Sequence, residues 1–211
     1  MTFLPKDPNS MRTPTVILAV VGIAACSAAT PDQAPAQTPQ NRQANMVIAT
    51  GCFWCTESDF DKVPGVLATT SGYIGGNTAN PTYEQVSAGG TGHIEAVRVI
   101  YDPSRVSYAT LARHALRTSD PTDGGGQFCD RGDQYRPAIF FGDASERKTA
   151  VAATAEAAKA LGKPIATDIL PRTRFFSAEG YHQNYYTKNP LRYRYYRLSC
   201  GRDARIKELW G

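Results

Sequence analysis

The stretch MVIATGCFWCTESDF, Met46–Phe60, ends an apolar run in a glycine and two cysteines that flank an aromatic pair. Met46–Thr50 reads as a strand, and a helix opens near Phe53. Cys52 therefore stands where the first strand gives way to the first helix. Backbone N–H groups and the helix dipole at such a place favour a thiolate. The spacing Cys52-Phe-Trp-Cys55 fits a redox dithiol, half of a metal site, or one working thiol with a second cysteine beside it.

Working outward, a second strand lies within Gly65–Gly76, and Glu95–Tyr101 alternates as a strand should before Asp102-Pro103 ends it. Ser107–Arg117 has helical spacing, and Pro137–Gly142 is an apolar strand. An Ala-rich helix follows, with Asp143 and Glu146 resembling a capping box and Gly162 and Pro164 as its stop. A strand is expected over Ile165–Leu170. The order β-α-β-β-α-β, with an added helix and strand, is that of an α+β, ferredoxin-like two-layer α/β plait. Residues 191–211 are expected as a C-terminal coil tail.

The chain has 211 residues, a 42% hydrophobic share and a net charge of +4, which suits one well-filled domain with some extra sequence. Much of the positive excess falls in Leu191–Lys207, where Arg and Tyr alternate. That pattern can stack bases and pair phosphates, but it also arises when rings pack inward and arginines snorkel. The second reading is adopted, with no nucleic acid and a monomer expected. Near the N-terminus, one basic residue precedes an apolar run, Val16–Ala25, too short to span a bilayer and proportioned like a signal-peptide core. Ile23-Ala24-Ala25-Cys26 resembles a bacterial lipobox with Cys26 as the acylated residue. Residues 1–26 are accordingly assigned to an N-terminal extension and signal, and the Pro-, Gln- and Ala-rich 27–45 to a flexible tether. Residues 46–190 are expected to form the catalytic domain. The expected location is periplasmic or membrane-anchored, as an exported bacterial lipoprotein.

The loops supply polar partners for Cys52. Tyr83 lies in a turn-rich segment, Glu95 at a strand entrance, Cys129, Asp130 and Tyr135 after a glycine run, and His182 among tyrosines. Each alone has an ordinary explanation as a turn cap, a packed ring or a surface group. Taken in order, GCFWC, GYIGG, NPTYEQV, TGHIEAVRVIYDP, DPTDGGGQFCDRGDQYR and AEGYHQNYY resemble the landmarks of the A-type peptide methionine sulfoxide reductases over Met46–Pro190. That resemblance implies the plait fold and reduction of the S-epimer of methionine sulfoxide in oxidised proteins and peptides.

It also implies roles. Cys52 attacks sulfur, Glu95 supplies the proton, and the Tyr83 and Tyr135 hydroxyls bind the sulfoxide oxygen. Phe53 and Trp54 hold the S-methyl group, with Asp130 and His182 as further substrate contacts. No metal or organic cofactor is required, and electrons come from a thioredoxin-type donor. Two positions depart from the commonest pattern: Cys55 replaces a usual glycine, and Cys129 an Asn-like residue before Asp130. Cys200 is the first candidate to resolve the Cys52 sulfenic acid, with Cys55 and Cys129 as alternatives. The rival reading is a thioredoxin-like oxidoreductase using Cys52 and Cys55 as its dithiol. A zinc site lacks a second ligand pair at a compatible spacing.

Overall fold

The computed structural model describes residues 43–211. The expected signal peptide, Cys26 and nearly all of the tether lie outside the described residues. In chain order the elements are β1 (Ala44–Ala49), α1 (Phe53–Phe60), β2 (Val66–Ile74), α2 (Tyr83–Ser87), β3 (Ile94–Tyr101) and α3 (Tyr108–Arg117). There follow the short β4 (Gly126–Gln127) and β5 (Asp130–Arg131), β6 (Ala138–Phe141), α4 (Ala144–Leu161), β7 (Asp168–Pro171) and β8 (Phe176–Ser177). Three helices close the chain: α5 (Tyr185–Lys188), α6 (Pro190–Ser199) and α7 (Arg202–Trp210).

The main sheet has the order β7-β6-β1-β3-β2-β8. Its four middle strands are antiparallel neighbours, and with α1 and α3 as crossovers they make the expected plait. The added α4 carries the chain to β7, which lies parallel to β6. Strand alternation sorts the side chains. Met46 and Ile48 of β1 and Val97, Val99 and Tyr101 of β3 face the core shared with α1, α3 and α4. Val47, Ala49, Ile94 and Ala96 face a smaller cluster that Leu170 and Phe175 help to cover. Glu95, in phase with Val97 and Val99, is thereby sent to the helix-covered face, where it is 2% exposed.

Most expected elements form close to their predicted bounds. The Asp143 carboxylate accepts from Glu146 N as a cap should, but the Glu146 carboxylate takes the Gly142 N–H and pairs with Arg172. The last predicted strand starts three residues late, at Asp168, because Ala166 N is bonded to the Pro121 carbonyl in the loop opposite. The expected coil tail is corrected: residues 190–210 are helical apart from the Cys200–Gly201 turn, where Gly201 adopts φ +67°. Apolar periodicity is missing there because the groups the tail buries are Tyr193 and the guanidinium of Arg202.

The tail explains why α1 carries the polar sequence Thr-Glu-Ser-Asp and is still buried on nearly every side. Asp59 pairs with Arg197 at 2.9 Å and faces Arg202 at 3.6 Å. Glu57 accepts from Asn184 N at 2.8 Å, and Asp61 accepts from Tyr186 Oη. Burial raises the Glu57 carboxyl to about 7, so its neutral form belongs to the folded state. Its contribution to stability is complete below its ordinary pKa of 4.5 and is lost as pH rises through about 7. Glu57→Gln keeps an oxygen for Asn184 and removes that loss. Thermal melts should show the variant matching the parent at acid pH and exceeding it by about 4–8 °C above neutrality.

Candidate active site

The site begins with a turn that only glycine can make. Gly51 has φ +86°, and a Cβ there would lie 2.5 Å from Gln127 Cβ. Gln127 is itself immobilised: its amide accepts from Asp120 N and donates to the carbonyls of Asp120, Asp123 and Gly126. The glycine-rich loop is thus tied into a buttress behind the turn, a role that sequence reasoning missed. Cys52 follows as the N-cap of α1, its carbonyl accepting from Cys55 N and Thr56 N. Its side chain makes no capping bond, which leaves the sulfur available.

Beneath the start of α1 lies Glu95, whose Oε2 accepts from Phe53 N at 3.1 Å. Burial outweighs that bond and raises the carboxyl to about 8, so Glu95 holds a proton at neutral pH. The Tyr83 and Tyr135 phenols lie beside each other and beside Glu95. Burial, then the charge of Glu95, pushes both phenols up, Tyr83 to about 12, so both remain proton donors. Asp130, raised by burial, accepts from Tyr196 Oη of α6, and that hydroxyl also reaches Cys52.

Among the described residues the free thiols are Cys52 and Cys55, both buried and joined at the first turn of α1, where Cys55 N donates to the Cys52 carbonyl at 3.1 Å. Burial pushes Cys52 up, and Cys55, Glu95 and Asp130 act in the same direction, so the helix N-terminus does not by itself yield the thiolate expected there. The neighbouring Cys52 thiol lowers Cys55 to about 7, with the guanidinium groups of Arg202 and Arg197 adding to the effect. Within the pair, Cys52 holds its proton the more tightly and Cys55 gives its proton up the more readily.

An aromatic wall stands beside the thiols. Phe53 is buried, and half-buried Trp54 stacks on Tyr185 with centroids 3.7 Å apart and 6° between planes. Trp54 Nε1 donates to His182 Nδ1 at 3.0 Å. Indole is only a donor, so the imidazole proton is on Nε2, 4.0 Å from the Glu179 carboxylate. Burial lowers the His182 pKa, which keeps the ring neutral. His182 packs on both Phe53 and Tyr83. Glu179 accepts from Tyr73 Oη and Tyr83 N, and so fixes one of the two phenols.

The fold therefore gathers Cys52, Phe53, Trp54, Tyr83, Glu95, Asp130, Tyr135 and His182 around one locus, with Cys55 immediately behind. Cys129 and Cys200 are elsewhere engaged: they form a disulfide across 71 residues of sequence. Sequence reasoning also missed Glu179 and Tyr196. The first sits in the AEGYHQNYY segment between residues already singled out, and the second gives no local signal in an alternating Arg/Tyr tail.

Two coupled thiols facing a protonated carboxylic acid and paired phenols, on a ferredoxin-like plait, define a thiol-based oxidoreductase. The chain belongs to the peptide methionine sulfoxide reductase family, whose profile matches residues 44–211. It is 54% identical over 168 residues to peptide methionine sulfoxide reductase MsrA 2 of Rhizobium meliloti, covering 78% of this chain and 82% of that one. The identity to MsrA 2 of Caulobacter vibrioides is 47% over 197 residues, 93% of this chain and 97% of the relative. Among solved structures, methionine sulfoxide reductase A of Corynebacterium diphtheriae superposes with a TM-score of 0.65 at 36% identity, covering 72% and 78% of the two chains. Mxr1 from Saccharomyces cerevisiae in reduced form gives 0.67 at 31% identity, covering 70% and 86%.

Proposed function

We propose that this protein reduces the S-epimer of methionine sulfoxide in oxidised proteins and peptides, with Cys52 as nucleophile and Glu95 as acid. The observation that carries the reading is the buried Glu95 carboxyl held by Phe53 N under the first turn of α1, next in sequence to Cys52, where burial raises its pKa to about 8. A sulfoxide sulfur is a poor electrophile until its oxygen is protonated or strongly hydrogen-bonded. Glu95 supplies the proton, and the Tyr83 and Tyr135 hydroxyls donate to the oxygen. Phe53 and Trp54 form the wall for the S-methyl group, while His182 and Asp130 orient that wall and the approach to it. Substrate binding also disposes of the resting charge: proton transfer from Cys52 to Cys55 gives the attacking thiolate.

Oxygen passes to Cys52, methionine leaves, and Cys52 becomes a sulfenic acid. A second thiol then displaces water to form a disulfide. With Cys200 bonded to Cys129, the thiol already in contact with Cys52 is Cys55, and we assign the resolving role to it ahead of Cys200 and Cys129. An external dithiol of the thioredoxin type returns the pair to thiols, so that sulfoxide, two electrons and two protons yield methionine and water. No metal or organic cofactor enters these steps. The lipobox-like Cys26 and the tether support action outside the cytoplasm, at or near a membrane.

Single-turnover reduction of peptides carrying each sulfoxide epimer tests the reading. The fully reduced chain should convert the S-epimer and consume two thiols. Cys55→Ser should release about one methionine per enzyme in the first turnover and then slow at least tenfold with a dithiol donor, leaving a trapped sulfenic acid. Failure to reduce either epimer would overturn the assignment, and undiminished turnover by Cys55→Ser would return the resolving role to Cys200 or Cys129.

A further inference from the structure

α7 opens with an arginine for which the scheme above has no use. Arg202 is 2% exposed and is the bulkiest of the fully buried side chains. A buried guanidinium needs partners for its charge and its donors; Nε has no hydrogen bond but stands 3.6 Å from the Asp59 carboxylate. Nη1 donates to the Thr50 carbonyl at 3.1 Å, and Nη2 donates to Thr50 Oγ1 at 3.2 Å and to the Thr118 carbonyl at 2.6 Å. From Thr50 the bonding continues in one direction. The Thr50 hydroxyl lies 2.7 Å from Thr56 Oγ1, and the Thr56 hydroxyl donates to the carbonyl of Cys52 at 3.2 Å. A relay of three hydrogen bonds thus runs from the C-terminal helix to the backbone of the nucleophile.

What seats Arg202 is equally specific. Its guanidinium stands 4.7 Å from the ring centroid of Phe128, the residue before Cys129, and it follows Cys200 by two residues. Segments 128–129 and 200–202 are therefore joined twice, by a cation–π contact inside and by the Cys129–Cys200 disulfide outside. Cys129 is exposed, so the outer joint is open to exchange with a dithiol while the inner groups are buried.

We propose that Arg202 is a positioning residue for the Cys52–Cys55 pair, and that the Cys129–Cys200 disulfide is the staple that seats it. The titratable and charged groups that act on Cys55 are Cys52 from the turn before α1, Asp59 from α1, Glu95 from β3, Tyr193 and Arg197 from α6, and Arg202 from α7. With the staple closed, Arg202 is held at the end of the relay to the Cys52 carbonyl, which also accepts from Cys55 N, and its charge favours the Cys55 thiolate. A dithiol that opens the staple delivers two electrons and two protons, leaves two thiols and takes up a disulfide of its own. The start of α7 is then held only by its noncovalent contacts. Any bearing of this on turnover rests on Cys55 as resolver, but the seating of Arg202 does not.

The test is the ultraviolet thiolate titration of the full chain, each sample referenced to the same protein carrying Cys55→Ser. Relative to the oxidised parent, Arg202→Met should lower the ionised fraction of Cys55 at pH 7 about tenfold, with Arg202→Lys recovering part of it. Cys129→Ser/Cys200→Ser, and the parent after selective reduction of its disulfide, should each lose several-fold. An unchanged titration in Arg202→Met overturns the positioning role. An unchanged titration in both the double serine variant and the reduced parent overturns the staple. Should circular dichroism show Arg202→Met unfolded, Arg202→Lys and the reduced parent decide instead, and titrations identical to the oxidised parent overturn the proposal. Sulfoxide reduction is absent from this readout, so failure of the enzymatic assignment would show separately in the epimer assay.

Discussion

Cys52→Ser is expected to abolish sulfoxide reduction, with the single-turnover rate falling by about 10⁴-fold or more. The chemistry requires a soft, polarisable nucleophile that can carry the transferred oxygen as a sulfenic acid. A serine hydroxyl ionises far above any working pH and has no counterpart to that intermediate. The change is nearly isosteric, and the Cys52 side chain caps no helix N–H, so the fold should survive with its melting temperature little altered. Rapid-quench measurement of methionine release from an S-sulfoxide peptide reads the effect, with circular dichroism to certify the fold. Retention of even a hundredth of the parent rate in a folded variant would remove Cys52 from the centre of the mechanism.

Glu95→Gln should cost about 10²–10³-fold in the chemical step. The amide can still hydrogen-bond to a sulfoxide oxygen but has no proton to give, so the residual rate reflects the Tyr83 and Tyr135 hydroxyls alone. The sharper signature is the pH profile. Glu95 is active in its protonated form, and its pKa is raised to about 8, so parent activity should hold below that pH and fall as pH rises through it. On the acid side, the thiol pair must lose a proton, and the lowered pKa of about 7 at Cys55 sets where activity rises. The parent profile is therefore a narrow bell between these limbs. In Glu95→Gln the alkaline limb should disappear and the acid limb persist. A variant that kept the alkaline limb would show that another group supplies the proton.

How much of this was legible beforehand varies with the range of the interaction. Strand alternation, helix stops and the glycine before Cys52 are properties of a few consecutive residues, so the plait and the place of the nucleophile could be read directly. Glu95 was identified as a site residue by its motif, but its burial followed only from its phase in β3 with Val97 and Val99 beneath α1. The tail defeated sequence reading. Its buried groups are Tyr193, whose hydroxyl accepts from Arg197, and Arg202, which is held by Asp59, Thr50, Thr118 and Phe128, as much as 152 residues away.

The cysteines mark the same boundary. The sequence by itself determined that Cys52 opens a helix among aromatic residues, because strand, turn and cap are local. Which sulfur pairs with which is a matter of distance in space. Only the tertiary structure brought Cys129 to Cys200 and left Cys55 in contact with Cys52. Likewise, local dipoles argued for a thiolate at Cys52, but the desolvation and carboxylates that raise it, and the arginines that lower Cys55, arrive from β3, β5, α6 and α7 once the chain has folded.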